Sequence, residues 1–266
     1  HAVEPRLTPT LLEVDSSTLP ATSHFVDSGY TVVHKSSNGF LLSFNHGPLG
    51  MPPLYNHGHA DSLSFTLRVQ GRPVFVDPGT YAYNAEPVYR AYFRSTRAHN
   101  TVCIDEQDQA VQSGRFAWTR PYTSRVEWFE RSEESLVIRA YHDGYMRLKS
   151  PVVHHRTLLL DLQQRLLFIL DTFRGSGSHQ YDLHFHLHPQ AEIYRESKTW
   201  QIEHQGARVS MKISGQNEAK TIRGQARPPL GWFSPDYGMK VPSCTLVATQ
   251  NGPPNHVAFK TRIQWV

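Results

Sequence analysis

Asn56–Leu63 reads NHGHADSL: two histidines one residue apart, then an aspartate, ahead of an alternating apolar run. Imidazole and carboxylate are zinc ligands, and imidazole also moves protons near neutral pH. Further along, Asp77 closes VFVD before Pro78-Gly79, and His99 sits in AHNT before another apolar run. Two imidazoles and a carboxylate brought from separate strand ends would make a three-ligand zinc set with one open position. The chain holds 16 histidines, so clusters also arise by chance. Each of these groups reads equally well as a hydrogen-bonded turn residue, and spacing alone leaves both readings open. In extended backbone His57 and His59 point to the same side.

The elements that must position these groups are strands. Alternating, β-branched and aromatic runs predict strands at Gly39–Asn45, Leu63–Val69, Pro73–Val76, Asn100–Ile104, Arg125–Phe129 and Leu136–Tyr141. The series continues at Arg156–Leu162, Leu166–Phe173, Tyr181–His188, Trp200–His204, Arg208–Ile213, Thr245–Thr249 and Val257–Val266. Their close spacing, with no long helical period, predicts an all-β fold, a large antiparallel β-sandwich. Val88–Thr96 is the exception and reads as one or two helical turns. No internal repeat interrupts the chain, and GSGS at 175–178 is of ordinary hairpin length, so residues 1–266 read as one domain.

This topology sets a difficulty for a metal site. With Gln70-Gly71 as the tight turn, Asp77 pairs near Ser64, five residues from His59. At about 3.3 Å per residue, roughly 16 Å must be recovered, so the HGHAD loop has to curl back across the sheet. His184, His186 and His188 share one strand face, opposite Tyr181, Leu183, Phe185 and Leu187. Ligands two apart along a strand stand too far apart to share one zinc, so this face is expected to be exposed or cleft-lining.

Composition narrows the function. A chain of 266 residues with 39% hydrophobic side chains can bury a large core. The net charge of +4 rests on 27 cations against 23 anions, too small an excess to indicate nucleic acid, and no nucleic-acid-binding motif is present. An acidic polysaccharide is a suitable partner. Cys103 and Cys244 are the only cysteines, which excludes a disulfide framework or a CxxC zinc ribbon. No apolar run approaches the roughly 20 residues that span a bilayer. Starting at His1, the sequence reads as a mature or excised piece.

The segment GHADSLSFTLRVQGRPVFVDPGTYAYN, followed by YRAYFRSTRAHNTVCIDEQDQ, resembles the signature of the heparinase II/III-like polysaccharide lyases. HFHLHP at 184–189 and GWFSPDYG at 231–238 are also similar to the family. The resemblance covers the family's C-terminal β-sheet domain and implies a supersandwich-like fold. It implies a domain of an enzyme that cleaves uronic-acid-containing polysaccharide, a glycosaminoglycan or alginate, by β-elimination. It further implies zinc held by His59, Asp77 and His99, with His57 facing substrate as a catalytic group. The family's N-terminal α/α-toroid, which contributes a catalytic tyrosine, is expected to lie outside these residues, leaving the chain incomplete or inactive by itself. Periplasmic or secreted location in a bacterium follows from such a substrate, with neither nucleic acid nor membrane as partner.

The residues supply the rest of the expectation. Tyr83 is a candidate catalytic group and Tyr81 a candidate substrate contact, both beside Asp77; ordinary aromatic packing is the competing reading. Arg90 and Arg94 are candidate contacts for substrate carboxylate or sulfate, against a reading as solvated surface cations. From a different class comes a non-catalytic carbohydrate-binding or structural β-sandwich whose zinc only stabilises a loop. Hydrolysis by paired carboxylates ranks last, because no such pair stands out.

Overall fold

The computed structural model describes residues 22–266, which form three large antiparallel sheets and three two-stranded ones. Thr22–Phe25, Tyr30–Lys35, Phe40–Asn45, Phe65–Val69 and Arg72–Phe75 make a five-stranded meander. Glu218–Arg223, Cys244–Gly252, His179–His186 and Val102–Ile104 make a four-stranded sheet in that spatial order. These two sheets are joined where the Val76 N–H donates to the His186 carbonyl (3.0 Å) and the His188 N–H to the Val74 carbonyl (3.1 Å). The third sheet has eight strands, with Leu166–Gly175, Val152–Asp161 and Ala258–Trp265 at its centre.

Period-two alternation explains why these segments pack. Leu136, Ile138 and Ala140 point inward from one strand, Leu158 and Leu160 from the next, Leu167 and Ile169 from a third. They meet Phe40, Leu42, Phe65 and Leu67 of the five-stranded sheet and Leu183, Phe185 and Leu246 of the four-stranded sheet in one core. The expected antiparallel β-sandwich is therefore the observed architecture. Among the described residues, no helix is long and apolar enough to cross a membrane.

The one α-helix among the described residues, Pro87–Arg94, starts on a proline and is followed by a 3-10 turn at Thr96–Ala98. Its Tyr92 and Phe93 pack with Tyr81, Ala82, Ala98, Leu230 and Val247 in a small satellite core. Strands that sequence patterning misses, Glu192–Glu196 and Glu218–Arg223, are sheet edges wetted on both faces. With no buried face, they carry no alternation to read.

Cys103 and Cys244 are both buried and free. One expectation changes. The histidine face at 184–188 is not open: His184 and His186 are buried beneath the 96–101 segment. There the His184 N–H donates to the Thr101 carbonyl (3.1 Å), and His186 Nε2 lies 2.9 Å from the Arg97 carbonyl.

This burial has a consequence for stability. Desolvation lowers the pKa of His46 and His184 to about 4 and pushes His142 and His186 well below the usual imidazole value. Such a histidine takes up a proton on unfolding once pH falls below its unfolded value of about 6.5. Stability is therefore full above about pH 6.5 and falls as pH drops towards about 4, by roughly 1.4 kcal/mol per pH unit for each such histidine within its window. Melting temperature measured from pH 7.5 to 4.5 should fall steeply below pH 6.5. A flat profile would contradict this reading.

Candidate metal and active site

The loop ahead of Phe65 does curl back, and its hydrogen bonds show how. Gln70-Gly71 is the hairpin turn, and a bulge after the Arg68–Pro73 pair moves the register so that Leu67 faces Phe75. Leu63 takes a left-handed conformation (φ 62°), and its N–H donates to the Asn45 carbonyl (2.8 Å). The Ala60 N–H donates to the Arg94 carbonyl (2.9 Å), and Thr96 Oγ1 donates to the Ala60 carbonyl (2.8 Å). The Gln109 amide clasps Ser62 by both its N–H and its carbonyl. Gly58 is required by close approach, since a Cβ there would lie 1.9 Å from the Leu49 carbonyl oxygen.

Because the loop turns, the two histidines separate. His57 has φ 66° and stays exposed, whereas His59 turns inward to His99. The expectation that extended backbone points them the same way fails for that reason.

His99 lies close to both His59 and Asp77. His99 Nδ1 donates to the Ser95 carbonyl (2.8 Å), which leaves Nε2 of the neutral ring as a bare lone pair. That nitrogen lies 3.2 Å from His59 Nδ1 and 3.5 Å from Asp77 Oδ2. Around zinc with bonds of about 2.0–2.1 Å, the edge of a ligand tetrahedron is about 3.3 Å, so the two separations at His99 Nε2 match such an edge. Asp61 adds a carboxylate that sequence reasoning passed over: ligand atoms of Asp61, Asp77 and His99 lie within 4.8 Å of one another. Its signal was the HxD spacing within GHAD.

Electrostatics suit a cation here. Burial first, then the neighbouring His99, lowers the His59 pKa to about 3, so the ring stays neutral and keeps a lone pair to offer. Burial raises the Asp61 pKa to about 6, with Asp77 adding to the rise against the lowering effect of His99. The Tyr30 phenol, in the same cleft, is raised to about 12 by burial and by Asp61 and Asp77, so it stays protonated. The cleft is an open cavity of about 370 Å³ that also exposes His57 and Thr80.

Two buried residues join the segments that carry these donors. Asn100 Nδ2 donates to the Phe65 carbonyl (2.8 Å) and the Val76 carbonyl (3.0 Å), and its Oδ1 accepts from the His186 N–H (2.6 Å). Arg156 Nη1 donates to the Leu63 and Asn100 carbonyls, each at 2.6 Å, while Nε and Nη2 grip Asp171 at 2.7 and 3.1 Å.

The remaining site residues divide. The Tyr83 ring meets His57 edge-on (5.4 Å, 87°) and lies within 6.1 Å of Phe116 and 5.8 Å of Tyr237. Tyr81 is 5% exposed; its hydroxyl donates to Glu86 and accepts from Lys240 Nζ (3.1 Å), so it braces the loop and is turned from the cleft. Arg94 is fully buried, with Nη1 and Nη2 on the carbonyls of Gly114, Arg115, Phe116 and Ala117 and its guanidinium over Trp118. Both the substrate role and the solvated-surface reading give way there to a strut. Arg90 is also buried, 2% exposed, beneath Tyr83.

Residues 17–266 match the family described as heparinase II/III-like, C-terminal. The chain belongs to that family. A heparin-sulfate lyase of Pedobacter heparinus is 22% identical over 139 residues, 51% of this chain and 19% of the lyase. A heparinase III structure matches at a TM-score of 0.74 and 20% identity, covering 93% of this chain and 36% of that one. The crystal structure of the heparan sulfate lyase HepC from Pedobacter heparinus matches at 0.73 and 16%, covering 92% and 36%. The chain thus spans a fifth to about a third of these relatives, and the two structures share its fold.

Asn100 carries the sharpest test of this geometry. Asn100→Ala strands three buried backbone groups and should destabilise the chain by about 3 kcal/mol or more. Chemical denaturation measures it; a loss under about 1 kcal/mol would show that Asn100 is not the tie described.

Proposed function

We propose that this chain is the C-terminal β-sandwich part of a polysaccharide lyase that cleaves uronic-acid-containing acidic polysaccharide by β-elimination. The observation that carries the reading is the placement of His99 within 3.2 Å of His59 and 3.5 Å of Asp77, beside a cleft that presents His57 against Tyr83. Membership of the family and the lyase names of the relatives support it. Those names make heparan-type glycosaminoglycan the first substrate to try, with alginate second.

In the reaction, the C5–H bond adjacent to the uronate carboxylate breaks, a C4–C5 double bond forms, and the C4–O4 bond breaks as O4 takes a proton. The carboxylate resists further negative charge, so a group must neutralise it while a base takes the C5 proton. His57, exposed and edge-on to Tyr83, is assigned to the base or carboxylate-facing role. Tyr83 is assigned to proton exchange with the sugar oxygens. Zinc, held by His59, Asp77 and His99 with Asp61 in reach, would supply fixed positive charge and a cross-link among the three segments. His59 then anchors the loop that aims His57. The other wall of the cleft, and a further catalytic tyrosine, belong to an N-terminal α/α-toroid of the same protein. A polymeric substrate places the work in the bacterial periplasm or outside the cell.

Two measurements test this. Purified chain should carry about one equivalent of zinc, lost in His59→Ala and Asp77→Ala. In the parent enzyme with its toroid, conjugated unsaturated uronate should appear in the ultraviolet, and His57→Ala should slow it about a hundredfold or more with zinc content intact. If the parent yields no unsaturated product from any uronate polymer, the domain is a carbohydrate-binding or structural β-sandwich instead.

A further inference from the structure

Arg90 and Arg94 lie one turn apart on the helix and are buried alike, yet they differ in how they are paired: Arg94 leaves only Nε without a partner, Arg90 both terminal nitrogens. Arg94 spends its two terminal nitrogens on four carbonyls. Arg90 donates only from Nε, to the Arg115 carbonyl at 3.2 Å; its Nη1 and Nη2 have no hydrogen-bond partner. Among the described residues Arg90 makes no ion pair. The one compensation is the Tyr83 ring, 5.2 Å from the guanidinium carbon. Buried charges are ordinarily paired, and a guanidinium with two bare nitrogens is an expensive feature for a core to keep.

Arg90 also borders a cavity of about 220 Å³, with Tyr83, Asn84, Gln112 and Arg115 among its walls. No carboxylate side chain lines it. It is smaller than pockets that take whole drug-sized ligands, so it accommodates a substituent rather than a length of polymer. Tyr83 touches both groups: its ring lies 5.2 Å from the Arg90 guanidinium and 5.4 Å from the His57 ring.

We propose that this cavity is an oxyanion subsite in which Arg90 binds the carboxylate or sulfate of a sugar unit adjoining the one at His57. The planar fork of the guanidinium, already free of competing acceptors, suits two parallel bonds to either group. Displacement of the Tyr83 ring from the guanidinium admits the anion, so entry of this substituent and placement of Tyr83 beside the reacting sugar are one movement. The subsite rests on the lyase reading, because it takes its anion from that substrate.

The test compares the 266-residue chain with Arg90→Met by calorimetric titration, using an unsulfated uronate tetrasaccharide and its sulfated counterpart. The variant should lose roughly tenfold to hundredfold in affinity, the weight of one charge-assisted contact. A loss confined to the sulfated ligand assigns the subsite to sulfate; an equal loss for both assigns it to the carboxylate. Arg90→Met should also melt at or above the wild-type temperature, because Arg94 still serves the Arg115 carbonyl. Wild-type affinity for both ligands in the variant, no binding by the wild type, or a variant that melts several degrees lower or fails to fold would overturn the proposal. Failure of the lyase reading looks different: anion affinity would persist while the parent enzyme releases no unsaturated product.

Discussion

Two loops hang from the guanidinium of Arg156, which lies in the core without solvent contact. One end holds the carbonyls of Leu63 and Asn100, the exits of the loops bearing His59 and His99; the other end is neutralised by Asp171. Burial alone would push the Asp171 carboxyl up, yet the charge of Arg156 and the hydrogen bond from His154 hold it below the usual carboxylate range. Such a pair adds little stability over an apolar replacement, whereas breaking it costs about 3–5 kcal/mol. Its contribution is positional: it fixes where two chain segments cross. Asn100 completes the arrangement by tying the Phe65 and Val76 strand ends, and Asp77 follows Val76 directly.

The cleft above this frame has two electrostatic poles. On one side Asp61, Asp77, His59 and His99 gather carboxylate and imidazole donors. On the other, Arg90 and Arg94 carry buried positive charge, and among the described residues Arg90 makes no ion pair. A polyanionic chain approaching the first pole meets repulsion that a divalent ion bound there removes. At the second pole it meets an unspent cation. Tyr83 and His57 stand at the boundary, where an acidic sugar would feel both.

Much of the fold was legible because its central strands bury one face. Phe40–Asn45, Phe65–Val69 and Leu166–Gly175 show the alternation that a half-buried strand requires. Edge strands such as Glu218–Arg223 were illegible for lack of any such face. The three donors were readable from residue type and family resemblance, but spacing argued against them, since a straight hairpin would hold His59 away from Asp77. What turns the loop back so that His59 reaches His99, the left-handed Leu63 and the Gln109 clasp on Ser62, depends on contacts far apart in sequence. Arg156 and Asp171 did leave a trace: each occupies an inward position on a strand, in register with Leu158 and Leu160 or with Leu167 and Ile169. A charge at a core-facing position asks for a buried partner, and each here is the other's. Arg94 carried no comparable sign, because its acceptors are backbone carbonyls, which sequence does not display.

X-ray absorption at the zinc edge of the purified chain addresses the central claim most directly. Four nitrogen and oxygen neighbours at about 2.0–2.1 Å, with the multiple-scattering signature of two imidazoles, is the spectrum this account predicts. Zinc with a shell of oxygen alone, or a chain that retains no zinc after dialysis, would contradict it.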